Sequence, residues 1–416
     1  MTKTDIIMAA FKVWGRDLYK NTSLSQISNE LGVSKPALYR HFKDKEALLD
    51  EMYEYFFNNF SIYVRESYEK AIKMEKWEDC FLTIMKTFSK YYLSNKYLFA
   101  FSLVQVYSRR DREKVIEEFA IRGLDLTILS GEKYGEEEFF PSKFHITMVT
   151  LIYNIAQFHQ NSGIEQLSDE EAEKITEDIV LQITRGLGLD AEKIKALDYT
   201  RLEKQASLKV DENRGENQLL EAVAAAVAEA GPWNVSMEMV ARLSGLSKSG
   251  LYAHFQNKED MLNQLFMTEF SNLVGFAKAK IETTLAPEEQ LYLGIVSIAS
   301  YLRSRPQFLL SLEWLKTRQP DLKNAALEKL GSFIRSIKLE LVKQQDPRFL
   351  LSIAQLVLFM IVSIMVWWPI VQKERKPEIS GEPRKGKLSR VPRESFRIIF
   401  RFIALGFTGL NMEGDK

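Results

Sequence analysis

Cysteine is almost absent: Cys80 stands alone among 416 residues. One thiol excludes a disulfide framework and any metal site built from several thiolates, and it fits a reducing, cytoplasmic setting. Turn-forming residues are also scarce, with 11 Pro and 20 Gly. Short alternating strands bounded by turns are hard to find, whereas apolar residues recur at helical spacing over long stretches. The predicted fold class is all-α. Net charge is missing too, because 56 Lys and Arg balance 56 Asp and Glu. No global positive field marks a nucleic-acid binder, so any such signal must be local. Of only four His, His145 and His159 lie fourteen apart on one predicted helix, too far to share a metal. No metal or cofactor is expected. A phosphate-cradling Gly-rich loop, a His-Glu-x-x-His and a nucleophile–base constellation are all lacking, which argues against an enzyme. Near the N-terminus Lys3, Asp5 and Lys12 break up the apolar stretch a signal peptide needs, and the segment reads as an amphipathic helix.

What the chain does contain is a repeat. Residues 23–49 read SLSQISNELGVSKPALYRHFKDKEALL and residues 236–262 read SMEMVARLSGLSKSGLYAHFQNKEDML. They align without a gap, and 11 of the 27 pairs are identical. The separation is far too long for a solenoid, so a whole domain has been duplicated. A weaker echo follows in each half: IVLQITRGLGL at 179–189 and IFRFIALGFTGL at 399–410 both end an apolar helix in a glycine-bearing turn. The segment between the halves is charged and poor in aromatics. Ile194, Leu197 and Leu202 allow an amphipathic helix in its first part, and the DENRGEN run from Asp211 is the expected flexible point.

The repeated motif has the layout of two helices joined by a tight turn. Ser23 and Gln26 form a capping-box start, and Leu24, Ile27 and Leu31 recur on one face. Gly32 permits the turn, Ser34 caps the next helix, and Pro36 sits in its first turn where a missing N–H costs nothing. Leu38 and Phe42 point to the core, leaving Lys35, Ala37, Tyr39, Arg40, His41 and Lys43 for contact. Asp44 caps the helix that begins with Lys45 and Glu46. A short capped helix with cations and small polar groups outward suits the major groove of duplex DNA.

VSKPALYRHFKDKEALL, and with more departures LSKSGLYAHFQNKEDML, resembles the second half of the TetR-family DNA-binding domain. The resemblance implies two tandem units, each with three N-terminal DNA-binding helices, a helical ligand-binding core and a closing helix pair for pairing in a four-helix bundle. It places a first DNA-binding domain at 1–50, a first ligand and interface domain at 51–189, a linker at 190–215, a second DNA-binding domain at 216–263 and a second helical domain at 264–416. It assigns phosphate positioning to Lys35, Tyr39, His41 and Lys45, and to Lys248, Tyr252, His254 and Lys258 in the second copy. Base edges fall to Pro36, Ala37 and Arg40, and to Ser249, Gly250 and Ala253. Residues 1–50 hold eight Lys and Arg against six Asp and Glu, whereas residues 214–263 hold four against six. Phosphate neutralisation supplies most non-specific affinity, so the second head should bind DNA more weakly, or have stopped binding it.

The expected function is sequence-specific regulation of transcription, as a repressor released by an apolar small-molecule effector. One chain would supply both heads as a pseudo-dimer on an asymmetric operator, with a higher oligomer of fused chains left open. Aromatics such as Tyr53, Phe56, Phe60, Phe88 and Tyr91 are expected chiefly as core, some lining an effector pocket. Residues 349–372 carry no charge over 24 residues and are followed by Lys373, Arg375 and Lys376. Two readings stand: a membrane anchor, or the buried penultimate helix of the unit, favoured because residues 144–164 are likewise uncharged before their own last helix. The basic stretch RKGKLSRVPR at 384–393 reads as a solvated loop.

Overall fold

The computed structural model describes residues 2–16, 19, 23–106, 112–130, 143–164, 167–208, 218–312, 320–338, 347–375 and 391–412, and among these there is no strand. The first half runs α1 (Lys3–Arg16), α2 (Leu24–Leu31), α3 (Lys35–Tyr39), α4 (Lys45–Ala71), α5 (Trp77–Ser94), α6 (Lys96–Phe101), α7 (Arg112–Ile121), α8 (Lys143–Asn161) and α9 (Asp169–Arg185). Two short helices follow, α10 (Ala191–Lys195) and α11 (Tyr199–Gln205). The second half runs α12 (Gln218–Asn234, interrupted at Gly231), α13 (Met237–Ser244), α14 (Lys248–Tyr252), α15 (Lys258–Ile281), α16 (Pro287–Ser304) and α17 (Pro306–Ser311). It closes with α18 (Pro320–Ser336), α19 (Pro347–Arg375), α20 (Arg393–Leu405) and α21 (Phe407–Leu410).

The duplication extends well past the 27-residue motif. Helices α5 and α16 are both 18 residues long, and α6 and α17 are both 6. Asn95 (φ −131, ψ 67) and Arg305 (φ −122, ψ 65) break the two helix pairs with the same backbone. Side-chain identity has largely drifted between these elements while lengths and bends have stayed.

By packing, the chain divides into residues 1–181 and 182–416. In the first unit α4 lies along α5. Phe60 sits at their centre, with ring centroids of Phe88, Tyr91 and Phe119 at 4.8, 5.1 and 5.3 Å. Edge-on and tilted packing of this kind adds to the burial of large apolar areas. The expectation that most of these aromatics are core agrees with that arrangement.

In the second unit α15 packs on α16 and α18, and α19 lies against α18, α16 and α20. Ile353, Leu356, Val357, Met360 and Ile361 of α19 are buried there. Among the described residues no helix is long and apolar enough to cross a membrane. Over the part whose side chains are described, 351–366, the run at 349–372 is buried or half-buried inside the unit, as the penultimate-helix reading expects. Residues 376–390, with most of the basic stretch, lie outside the described residues, as does the DENRGEN run.

The segment expected as a linker at 190–215 is different in its first half. Asp190 caps α10 and Asp198 caps α11 through side-chain bonds to backbone N–H groups. Ile194, Tyr199 and Leu202 are buried against the second unit, with the Tyr199 ring 4.9 Å from that of Tyr292. Glu203 accepts from the Tyr292 hydroxyl and from Arg397 Nε, each at 2.8 Å. Of the apolar triad read as a possible amphipathic helix, Ile194 and Leu202 are buried on two short helices rather than one, and Leu197 between them is half-buried.

Candidate nucleic-acid interface

Each motif folds as its local chemistry dictates. In the first, the Ser23 N–H donates to Gln26 Oε1 at 2.8 Å, which anchors the start of α2. Gly32 ends that helix with φ 64, and the next N–H, of Val33, returns to the Ser28 carbonyl at 2.9 Å. In the second copy Gly245 has φ 71 and the Leu246 N–H returns to Ala241 at 3.1 Å. A left-handed residue is required at both turns, which glycine takes without steric cost. The caps of the following helices differ. Ser247 Oγ accepts from the Gly250 N–H at 3.0 Å, whereas the Ser34 side chain makes no cap bond. The Ala37 N–H goes to the Ser34 main-chain carbonyl at 2.9 Å instead, so the hydroxyl expected to cap α3 is not needed for it.

The inward side of each short helix is held by the predicted pair. Leu38 and Phe42, and Leu251 and Phe255, are buried. Asp44 and Asn257 cap α4 and α15 by accepting from Ala47 and Asp260 N–H groups at 2.8 and 2.9 Å. This fixes where the outward side chains stand. Lys35, Pro36, Arg40 and His41 are exposed, with Ala37 and Lys45 half-buried. In the second copy Lys248, Ser249, Ala253 and His254 are exposed, with Gly250 and Lys258 half-buried. Tyr39 is 54% and Tyr252 48% exposed, although each neighbours a leucine with no exposure at all. A large aromatic thus stands in solvent at the same position of both copies.

Electrostatics separate the two copies. In the first, the cations of α1 are used within the head: Lys3 pairs with Glu51, and Lys12 and Arg16 share Glu30, each at 3.1 Å. Lys3 also lies 5.6 Å over the Phe42 ring, which ties α1 to the motif. Among the described residues Lys35, Arg40, Lys43 and Lys45 enter no ion pair, and the first three are exposed around one short helix while Lys45 is half-buried at the start of α4. In the second copy Lys248 pairs with Glu238, and its Arg40 and Lys43 equivalents are Ala253 and Gln256. Partial burial also holds the Lys258 ammonium below its ordinary value. Glu238 was not singled out by sequence reasoning. It lies ten residues from Lys248 with a turn between them, a spacing with no motif signature. No group of three or more His, Cys, Asp or Glu able to hold a metal occurs among the described residues.

The family model for bacterial regulatory proteins of the tetR family matches residues 6–52 and again residues 219–265. Among solved structures, the transcriptional regulator FadR from Bacillus subtilis, determined in complex with stearoyl-CoA, is 20% identical. That match covers 46% of this chain and 99% of FadR, with a TM-score of 0.36. The fatty acid degradation regulator FadR from Bacillus halodurans is 18% identical over 46% of this chain and 98% of its own, with a TM-score of 0.34. PfmR from Thermus thermophilus, a TetR family transcriptional regulator, is 22% identical over 45% and 97%, with a TM-score of 0.30. The two matches of the family model fall one on each copy of the motif, so the chain carries two domains of the tetR family of bacterial regulatory proteins in tandem.

Proposed function

We propose that the chain represses transcription by placing two unlike heads on an asymmetric operator, as a pseudo-dimer within one polypeptide, and that an apolar small molecule releases it. The observation that carries this reading is the pair of matching surfaces on α3 and α14, each with an outward Lys, Tyr and His over a buried Leu–Phe pair. Lys35, Tyr39, His41 and Lys45 hold phosphates of one half-site, and Lys248, Tyr252, His254 and Lys258 those of the other. Pro36, Ala37 and Arg40 meet base edges at the first half-site; Ser249, Gly250 and Ala253 meet them at the second. Only Arg40 has the forked donor set that reads guanine, so the heads prefer different sequences. An apolar effector suits a core as rich in aromatic side chains as that around Phe60.

A second reading, in which only the first head contacts DNA, is favoured by the Lys248–Glu238 pair. Selection of bound duplexes from a random pool, with the intact chain and with a Lys248→Ala, Tyr252→Ala variant, tests both. Two unlike half-sites, one of them lost with the variant, support the proposal. Perfect palindromes sink it. A single half-site from both proteins favours the second reading.

A further inference from the structure

We infer that Glu238 is an internal competitor for DNA phosphate, occupying Lys248 of the second head and thereby setting how unequal the two heads are. The inference rests on the proposal that both motifs meet DNA. Its basis is a difference between repeats at one pair of positions. Lys248 opens α14 as Lys35 opens α3, and the lysine is the same in both. The residue facing it is not: Glu238, second in α13, corresponds to Ser25 of α2. Lys248 Nζ donates to Glu238 Oε1, while Lys35 has no ion pair among the described residues. The hydrogen bond between the two holds the carboxyl below and the ammonium above its ordinary value, so each stabilises the other's charged form.

Both side chains are more than half exposed, so water screens the pair and it contributes little to folding. Its consequence lies in binding. A lysine adds to duplex affinity by displacing a condensed counterion from a phosphate. Lys248 must first leave a carboxylate, and that carboxylate then stands beside the phosphate it approaches. A glutamate in the first turn of α13 is also favourable to the helix dipole, but Ser25 at the same place shows that the helix forms without it.

The test uses the full chain with Lys35→Ala and Arg40→Ala, so that the second motif dominates, and a fluorescent duplex of mixed sequence titrated over a series of KCl concentrations. Glu238→Ser should steepen the plot of log K against log [KCl] by about 0.9, one recovered phosphate contact, and tighten binding at 50 mM salt roughly tenfold. Glu238→Gln should do the same. Adding Lys248→Ala to Glu238→Ser should abolish the gain. If the gain survives without Lys248, the carboxylate acts only as bulk charge and the inference is overturned. A Tyr252→Ala control separates the remaining failures. Where it weakens binding but Glu238→Ser matches its parent, the inference alone falls. Where neither substitution changes anything, the second motif does not touch DNA, and the two-headed proposal falls with it.

Discussion

Glu269 is a carboxylate at 1% exposure in α15, at the place where the first repeat has Phe56. A charge so placed is costly unless paired and hydrogen-bonded. Arg305 pairs with it, the Tyr301 hydroxyl donates to it at 2.9 Å, and Arg305 Nη1 reaches Glu221 of α12 at 2.7 Å. In the first repeat the same places hold Phe56, Asn95 and Met8, and Phe56 packs on Phe101, which also meets Phe11 of α1. One head is thus joined to its core by an ionic strut and the other by tilted and edge-on rings. Arg305→Ala should lower stability by about 3 kcal/mol, because it strands Glu269. The double change Glu269→Phe, Arg305→Asn should cost less than Arg305→Ala alone, as read from denaturant midpoints. His159 gives the pH dependence. It is 7% exposed, its Nε2–H donates to the Tyr92 carbonyl at 2.8 Å, and burial lowers its pKa to about 4. The native state keeps it neutral while the unfolded chain protonates it near 6.5, so the first unit loses stability as pH falls from 6.5 to 4 and no more below that. The full drop is about 3 kcal/mol. His159→Gln should flatten that limb in thermal melts from pH 7 to pH 4; an unchanged slope would refute the assignment.

Helix ends, not helix middles, carry the tightest constraints between elements. After α9 the chain turns at Gly186 with φ 55, and after α20 at Gly406 with φ 61. The Leu187 and Leu189 N–H groups then donate to the Ile403 and Ala404 carbonyls at 2.8 and 3.0 Å. A Cβ at Gly406 would come within 2.4 Å of the Thr184 carbonyl. Gly186→Ala and Gly406→Ala should each destabilise the second unit by more than about 2 kcal/mol, adding steric clash to left-handed strain. Gly188→Ala, which has φ 65 but open space around it, should cost only the strain. Differential scanning calorimetry would rank the three. Sequence reading reached the glycine turns, the Ser23 and Asp44 caps and the Leu38–Phe42 pair because each depends on residues a few positions apart, while the Ser34 hydroxyl it also expected as a cap makes no such bond. It missed the Arg305 strut, whose partners lie 84 and 36 residues away. It also missed the docking of α11, since an isolated Tyr199 says nothing about Tyr292. The correspondence of α5 with α16 was invisible for a related reason: length and bend survive substitution that erases identity, and neither is written in any single residue.

For the whole molecule, fusion lets the two heads diverge in a way that a symmetric dimer forbids. A homodimer gains or loses every phosphate contact twice, so weakening one head weakens both. On the two-headed proposal, the strong head locates DNA through its unpaired cations, and the weaker one then engages at high local concentration, where little intrinsic affinity is needed. On that proposal the second head can lose the Arg40 and Lys43 equivalents and tolerate Glu238 because the first keeps the chain on the duplex. Single substitutions should therefore have unequal effects at equivalent lysines. Lys35→Ala should lower the salt slope of operator binding by about 0.9, the release of one counterion, and weaken binding at 50 mM salt roughly tenfold. Lys248→Ala, acting on a lysine already opposed by a carboxylate, should change both by much less. Equilibrium titrations of the intact chain and the two variants at four or five salt concentrations would decide it. Equal losses at the two positions would mean the heads are equivalent on DNA, whatever their surfaces suggest, and would return the chain to the behaviour of a symmetric dimer.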